Sequence, residues 1–273
     1  MAELDALGTL GVEERAHGDG ACLLAYFTRG QVERARLFAL ERTVTSLRCL
    51  GVEPVPETDW ERESRRGLSP RCIGGLWVRP SWCAPVAEPE LVIDPRQAFG
   101  SGEHASTRLA LRLTLAELRP GDSLLDVGTG SGILGLAALR RGAGSALGVD
   151  VDPVACRNAN QNRAGNALPL GLVCGTPDSL RPGWLWDMVV ANLLWSELRP
   201  IFGRLRGHAR RALIVSGLLA SQAAELEHAC AVSGWRCARE LSEEQSGDVW
   251  VARSLYPRDR QSSRSSSSVS SRA

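Results

Sequence analysis

The 273-residue chain contains no lysine, so all 32 of its basic residues are arginine. That absence removes the phosphate-gripping lysine of a P-loop and leaves a kinase reading without its central residue. Histidine is scarce, at four residues, and none stands at zinc-finger spacing from a cysteine. The eight cysteines are scattered without a C-x-x-C pair, so a zinc site is not indicated, and no Ser-His-Asp arrangement marks a hydrolase. They are expected to be small buried hydrophobes in a reducing cytosol. No window reaches 18 uninterrupted apolar residues, which argues against a membrane-spanning helix. The opening, MAELDALGTLGVEE, lacks the basic and apolar regions of a secretory signal. An excess of one charge is missing too: 32 basic residues face 31 acidic ones. The stretch 257–273 holds four Arg and one Asp, so the rest of this +1 chain is slightly acidic, a poor grip for a phosphate backbone.

What is present is the composition of a globular protein, 44% apolar and 23% charged. At roughly 150 residues per domain, the length suits one large domain or one large and one small. Residues 1–55 are expected to form a small α+β domain, with a strand at 21–27 and a helical pattern from Val32 to Leu47. Residues 56–90, rich in Pro, Arg and Trp, read as a linker with a short strand at 76–78. From 91 to 256 apolar runs alternate with amphipathic ones. Strands are expected at 123–127, 146–150, 170–174, 188–191, 212–216, 235–241 and 249–254, and helices at 133–141, 153–164, 197–206 and 222–233. The polar run 242–248 between the last two strands reads as a hairpin turn. The pattern predicts an α/β fold: a doubly wound, Rossmann-like sheet of seven strands, mostly parallel, closed by an antiparallel pair. The tail 257–273 has eight serines among its last twelve residues and is expected to be disordered.

The strongest local signal is the strand Ser123 to Val127 running into Gly128-Thr-Gly130-Ser-Gly132 and then a helix. Glycines there allow a sharp turn and close approach of backbone to ligand, so a cofactor site is expected at the carboxyl end of that strand. Gly130, Gly132 and Gly135 also fit the dinucleotide fingerprint, with Asp150 twenty residues after Gly130. Asp126 decides between cofactors. A carboxylate ending the strand would repel a pyrophosphate and attract the ammonium group of S-adenosylmethionine, a difference of about 4 kcal/mol per charge pair at 4 Å and an effective dielectric near 20. Asp150 is placed to accept ribose hydroxyls, and Asp152 to cap the helix starting at Pro153.

With these residues in view, the sequence resembles the class I S-adenosylmethionine methyltransferases, and among them the ribosomal protein L11 methyltransferase (PrmA) family. The segment DPRQAFGSGEHAST at 94–107 is similar to that family's D-P-G-x-A-F-G-T-G-x-H-x-T-T, and Val190-Ala-Asn192-Leu-Leu to its A-N-I-L. Val78 to Trp82, Leu10 to Glu14 and Ser216-Gly-Leu-Leu also match, so the likeness covers nearly all of 1–255. It implies cofactor contacts from Thr107, Gly128, Asp150 and Asn192, beside Asp126 and Gly130 of the loop, and an N-terminal domain that presents the target. The implied reaction transfers methyl groups from S-adenosylmethionine to lysine ε-amino groups, and also α-amino groups, of a large-subunit ribosomal protein. Another protein lysine, a small amine, or a non-catalytic role in ribosome assembly are the alternatives.

Such a transfer needs a neutral amine aligned with the methyl carbon, and Asn192 is expected to accept its hydrogen bond as the catalytic residue. Phe99, Glu103 and His104 are candidates for a lid or target contact, with core packing the alternative for Phe99. The sequence departs from the family pattern at Ser101, Ser106, Ala105 and Arg96-Gln97. Trp195 stands where the family often has a small residue, which is expected to add bulk at the rim of the target pocket. The expected partner is a ribosomal protein, without nucleic acid or membrane, for a monomer in the cytoplasm.

Overall fold

The computed structural model describes residues 11–17, 20–27, 68–94, 99–181 and 183–258. The chain divides into two units after Trp60. In the first, β1 (Gly11–His17) pairs antiparallel with β2 (Gly20–Tyr26), from Gly11 opposite Tyr26 to His17 opposite Gly20. The helical pattern expected at 32–47 lies outside the described residues, as do the tail from 259 onward and Arg96-Gln97.

The second unit is built on a seven-stranded sheet of β6 (Ser123–Val127), β7 (Ser145–Asp150), β8 (Gly171–Cys174), β9 (Trp186–Asn192), β10 (Ala209–Leu219), β11 (Trp235–Gln245) and β12 (Asp248–Pro257). Their order is β11-β12-β10-β9-β6-β7-β8; β12 runs antiparallel to both its neighbours and the other pairings are parallel. Alternate residues serve opposite faces. Leu124, Met188, Val190 and Ile214 pack with α1 (Ala105–Glu117) and α2 (Ile133–Arg140). Leu125, Val189, Ala191 and Val215 pack with α4 (Trp195–Leu205) and α5 (Ala223–Val232). A fully buried aliphatic side chain contributes about 1.5–3 kcal/mol, so each of these short strands is held mainly by its two apolar faces. The helix α3 (Pro153–Gly165) follows β7 with Asp152 as its N-cap, accepting from Val154 N at 2.7 Å.

Three findings differ from the sequence reading. Helix α1 was not among the expected elements. Leu109, Leu111, Leu113 and Leu115 alternate as in a strand, and the helix is buried on so many sides that its amphipathic signal is blurred. The strand expected at 76–78 is present as β4 (Leu76–Arg79), but it is joined by two strands that were not expected, β3 (Arg71–Ile73) and β5 (Glu90–Val92), in a three-stranded sheet. Its Ile73, Leu76, Val78 and Leu91 belong to the same apolar cluster as α1 and α2. Six cysteines whose side chains are described (Cys72, Cys83, Cys156, Cys174, Cys230 and Cys237) are free, and of these only Cys230 is buried, so most of the six are not core residues.

Candidate functional site

The carboxyl ends of β6, β7, β9 and β10 bring the predicted residues to one edge of the sheet. The glycine loop after β6 is fixed from three sides. Gly128 N donates to Val149 O at 2.8 Å, Gly130 N to the Asp150 carboxylate at 2.9 Å, and Ser131 N to Phe99 O at 3.0 Å. Gly130 has φ +54°, and a Cβ there would lie 2.6 Å from Phe99 O, so only glycine leaves room for this crossing of two backbones. Leu193 fills the space beside Gly128. Ser131 Oγ donates to Gly100 O at 2.5 Å, and Asn162 of α3 donates both to Ser131 O at 2.8 Å and to Asp94 O at 3.3 Å. The segment around Phe99 is therefore stitched to the loop.

Asp126 is not where the cofactor argument put it. It is fully buried beneath the loop, its Oδ2 accepting from Thr129 Oγ1 at 2.7 Å and Gly135 N at 3.2 Å, while Oδ1 is buried without a partner. Burial pushes its pKa up to about 6. The carboxylate thus braces the loop against the first turn of α2. Asp150, by contrast, ends β7 half-buried, with Oδ2 on Gly130 N and Oδ1 on Asp152 N at 3.0 Å.

Thr107 and Asn192 meet across 85 residues of sequence: Asn192 Nδ2 donates to Thr107 Oγ1 at 3.3 Å. Thr107 is fully buried, and its hydroxyl is the partner of the Asn192 amide. Asn192 Oδ1 is an orphaned acceptor, withdrawn from solvent. A ligand N–H arriving at the end of β9 would complete it.

The lid candidates separate. Phe99 is 57% exposed, which excludes core packing, and its ring lies 5.4 Å from that of His104. His104 caps α1: Nδ1 accepts from Ser106 N at 3.3 Å, and its ring stands edge-on to Trp250 at 4.4 Å. Burial and nearby Arg108 hold its pKa below the usual histidine value, which favours the neutral ring. Glu103 is gripped by Arg71 through two bonds of 2.9 and 2.7 Å, which ties the segment to β3. Trp195 contradicts its expected place at the pocket rim. It is 6% exposed, packs edge-on against Phe202 and donates its indole N–H to Glu225 at 2.8 Å. It starts α4, and its helical neighbours Leu198, Phe202 and Leu205 carry it into the core.

Several contributing residues were missed by sequence reasoning. Gln245 Oε1 accepts from Ala105 N at 2.5 Å, linking the β11–β12 hairpin to the start of α1. Asn158 and Asn162 of α3 and Asn166 at its C-cap stand at i, i+4 and i+8, and that spacing was a readable signal. Their amides hold the backbone of Val92 and Asp94, with Asn166 Oδ1 accepting from Val92 N at 2.8 Å.

A glycine loop after the central strand, an acidic residue ending the next and an antiparallel β12 inserted beside the edge define the class I methyltransferase fold. The solved ribosomal protein L11 methylase of Lactobacillus delbrueckii subsp. bulgaricus shares it, at 28% identity and a TM-score of 0.59 over 67% of this chain and 95% of that one. The chain belongs to the ribosomal protein L11 methyltransferase (PrmA) family, whose profile matches residues 6–254. Curated relatives named ribosomal protein L11 methyltransferase include that of Laribacter hongkongensis, 40% identical over 64% of this chain and 60% of its own length. That of Thermus thermophilus is 38% identical over 70% of this chain and 76% of its own. The chain thus spans about 60% of the length of the first of these relatives.

Proposed function

We propose that this protein transfers methyl groups from S-adenosylmethionine to lysine ε-amino groups, and to an α-amino group, of ribosomal protein L11. Family membership supports the reaction class and the target. The observation that carries the chemistry is Asn192, whose amide oxygen is buried, unpartnered and held beside the glycine loop by Thr107. The residues fit the cofactor. Gly128 and Gly130, at φ +71° and +54°, form the tight turn after β6 that such a cofactor site requires, and Asp150 has lone pairs left for ribose hydroxyls at the end of β7.

S-adenosylmethionine supplies an electrophilic methyl carbon next to a positive sulfonium. The protein's task is to present a neutral amine in line with it. At pH 7.4 a lysine with pKa about 10.4 is about 3 units from neutrality, roughly 4 kcal/mol. Partial burial and the neighbouring positive charge favour the neutral form. Asn192 accepts one amine N–H and so aims the lone pair. In this reading the domain of residues 1–55 recognises the target, neither nucleic acid nor membrane is engaged, and a monomer acts in the cytoplasm.

The test is labelled S-adenosylmethionine incubated with the protein and ribosomal proteins from a strain lacking the enzyme. Label on L11 is expected, at least a hundredfold lower with Asn192→Ala. Label on another protein would overturn the target. Tighter binding of NAD than of S-adenosylhomocysteine in a calorimetric titration would overturn the cofactor.

A further inference from the structure

We propose that Ser216 and Gly217, at the end of β10, are positioning residues that aim the Asn192 amide. The proposal rests on the reading of Asn192 as the acceptor of the target amine. Ser216 is fully buried and stands opposite Asn192 in the parallel register of β9 and β10. Its hydroxyl donates to Ser106 O at 2.8 Å, and its carbonyl accepts from Leu193 N at 3.1 Å. Ser106 precedes Thr107, whose hydroxyl receives the Asn192 amide. The contacts close a ring: Asn192 to Thr107, along one peptide to Ser106, across to Ser216, and back through Leu193 to Asn192.

Gly217 completes the ring sterically. Its φ is +86°, and a Cβ would lie 2.3 Å from Leu193 O and 3.1 Å from Leu193 N. The pairing of β10 with β12 shifts register between Val215 and Leu218, so the backbone departs from the regular ladder at this point. A side chain at 217 would push on the residue adjoining Asn192. Ser216 thus links the end of β9 to the first turn of α1, and the Thr107 and Asn192 bond depends on the distance between them.

The test compares Ser216→Ala with Ser254→Ala. Ser254 is equally buried and bonds the other end of the same helix, Oγ to Glu117 Oε1 at 3.2 Å, far from Asn192. Similar small falls in melting temperature are expected for both. Ser216→Ala should lower kcat at least tenfold while KM for the ribosomal protein and Kd for S-adenosylhomocysteine stay within threefold; Ser254→Ala should change kcat less than twofold. The side-chain amide resonances of Asn192, assigned by their loss in Asn192→Ala, should shift or broaden in Ser216→Ala and stay in place in Ser254→Ala. Equal effects of the two variants on kcat, or unmoved Asn192 resonances in Ser216→Ala, would overturn the proposal. Absence of transfer by the unmutated protein would instead overturn the functional reading, with the resonances still deciding this one.

Discussion

Replacing Asp126 by Asn separates a bracing carboxylate from a ligand-binding one. The carboxyl group is fully buried and its pKa is pushed up from the ordinary 3.8 to about 6. Because the folded value lies above the unfolded one, the protonated group's contribution is fully present below pH 3.8 and is lost as pH rises through 6. A shift of about 2 units corresponds to roughly 3 kcal/mol, of which about 1.4 kcal/mol falls between pH 5 and pH 8. An asparagine keeps an oxygen for Thr129 and Gly135 and cannot ionise, but it puts an N–H where Oδ1 has no partner, at a cost of about 1–3 kcal/mol. The ionisation penalty grows by about 1.4 kcal/mol from pH 5 to pH 8 while the amide's cost does not change with pH. The melting temperature of the variant relative to that of the unmutated protein should therefore rise by about 3–6 °C from pH 5 to pH 8, read by calorimetry at both. Affinity for S-adenosylhomocysteine should change less than tenfold. A contact between Asp126 and the cofactor's ammonium group, worth about 4 kcal/mol, would instead cost close to a thousandfold. That loss, or parallel melting curves, would refute the bracing role.

Two further substitutions probe the loop. Gly130→Ala meets Phe99 O and a positive φ at once, and should weaken S-adenosylhomocysteine binding at least tenfold by calorimetric titration. Gly142→Ala, with φ +100° but open space around it, should cost about 1 kcal/mol in denaturant and leave binding alone. Asn162→Ala removes bonds to Asp94 and Ser131 and should cost about 2–4 kcal/mol in urea melts while raising the same Kd. Asn166→Ala, which holds Val92 rather than the loop, should destabilise comparably with Kd unchanged.

The sheet was legible because its central strands are short, largely apolar runs, and burial on both faces leaves little else they could be. Pieces that depend on tertiary partners were not. Strands β3 and β5 are three residues each, too short for a period to declare itself. The three-stranded sheet is tied by a half-hidden ion pair, Arg79 to Glu90 at 2.8 Å, whose members are eleven residues apart in a proline-rich stretch. Helix α1 hid behind a leucine alternation that a strand would also produce.

The site shows the same division more sharply, and its two misplacements were errors of parity that the sequence already contained. Along β6, Leu124 and Asp126 point to one face and Leu125 and Val127 to the other. Once Leu124 is assigned to the layer under α2, Asp126 must follow it there, and the first turn of α2 supplies its partner at Gly135 N. Trp195 turns on where α4 begins. A start at Glu197 leaves it in a loop facing the target; a start at Trp195 sets it three residues before Leu198 and seven before Phe202, on the buried stripe. Asn192 was legible because strand end and motif coincide. What aims it was not, since Ser106, Thr107 and Ser216 reach it only through the register of β9 and β10 and the packing of α1. Residue type and spacing therefore single out the groups proposed for the chemistry, while their orientation is decided by face parity and by neighbours distant in the chain.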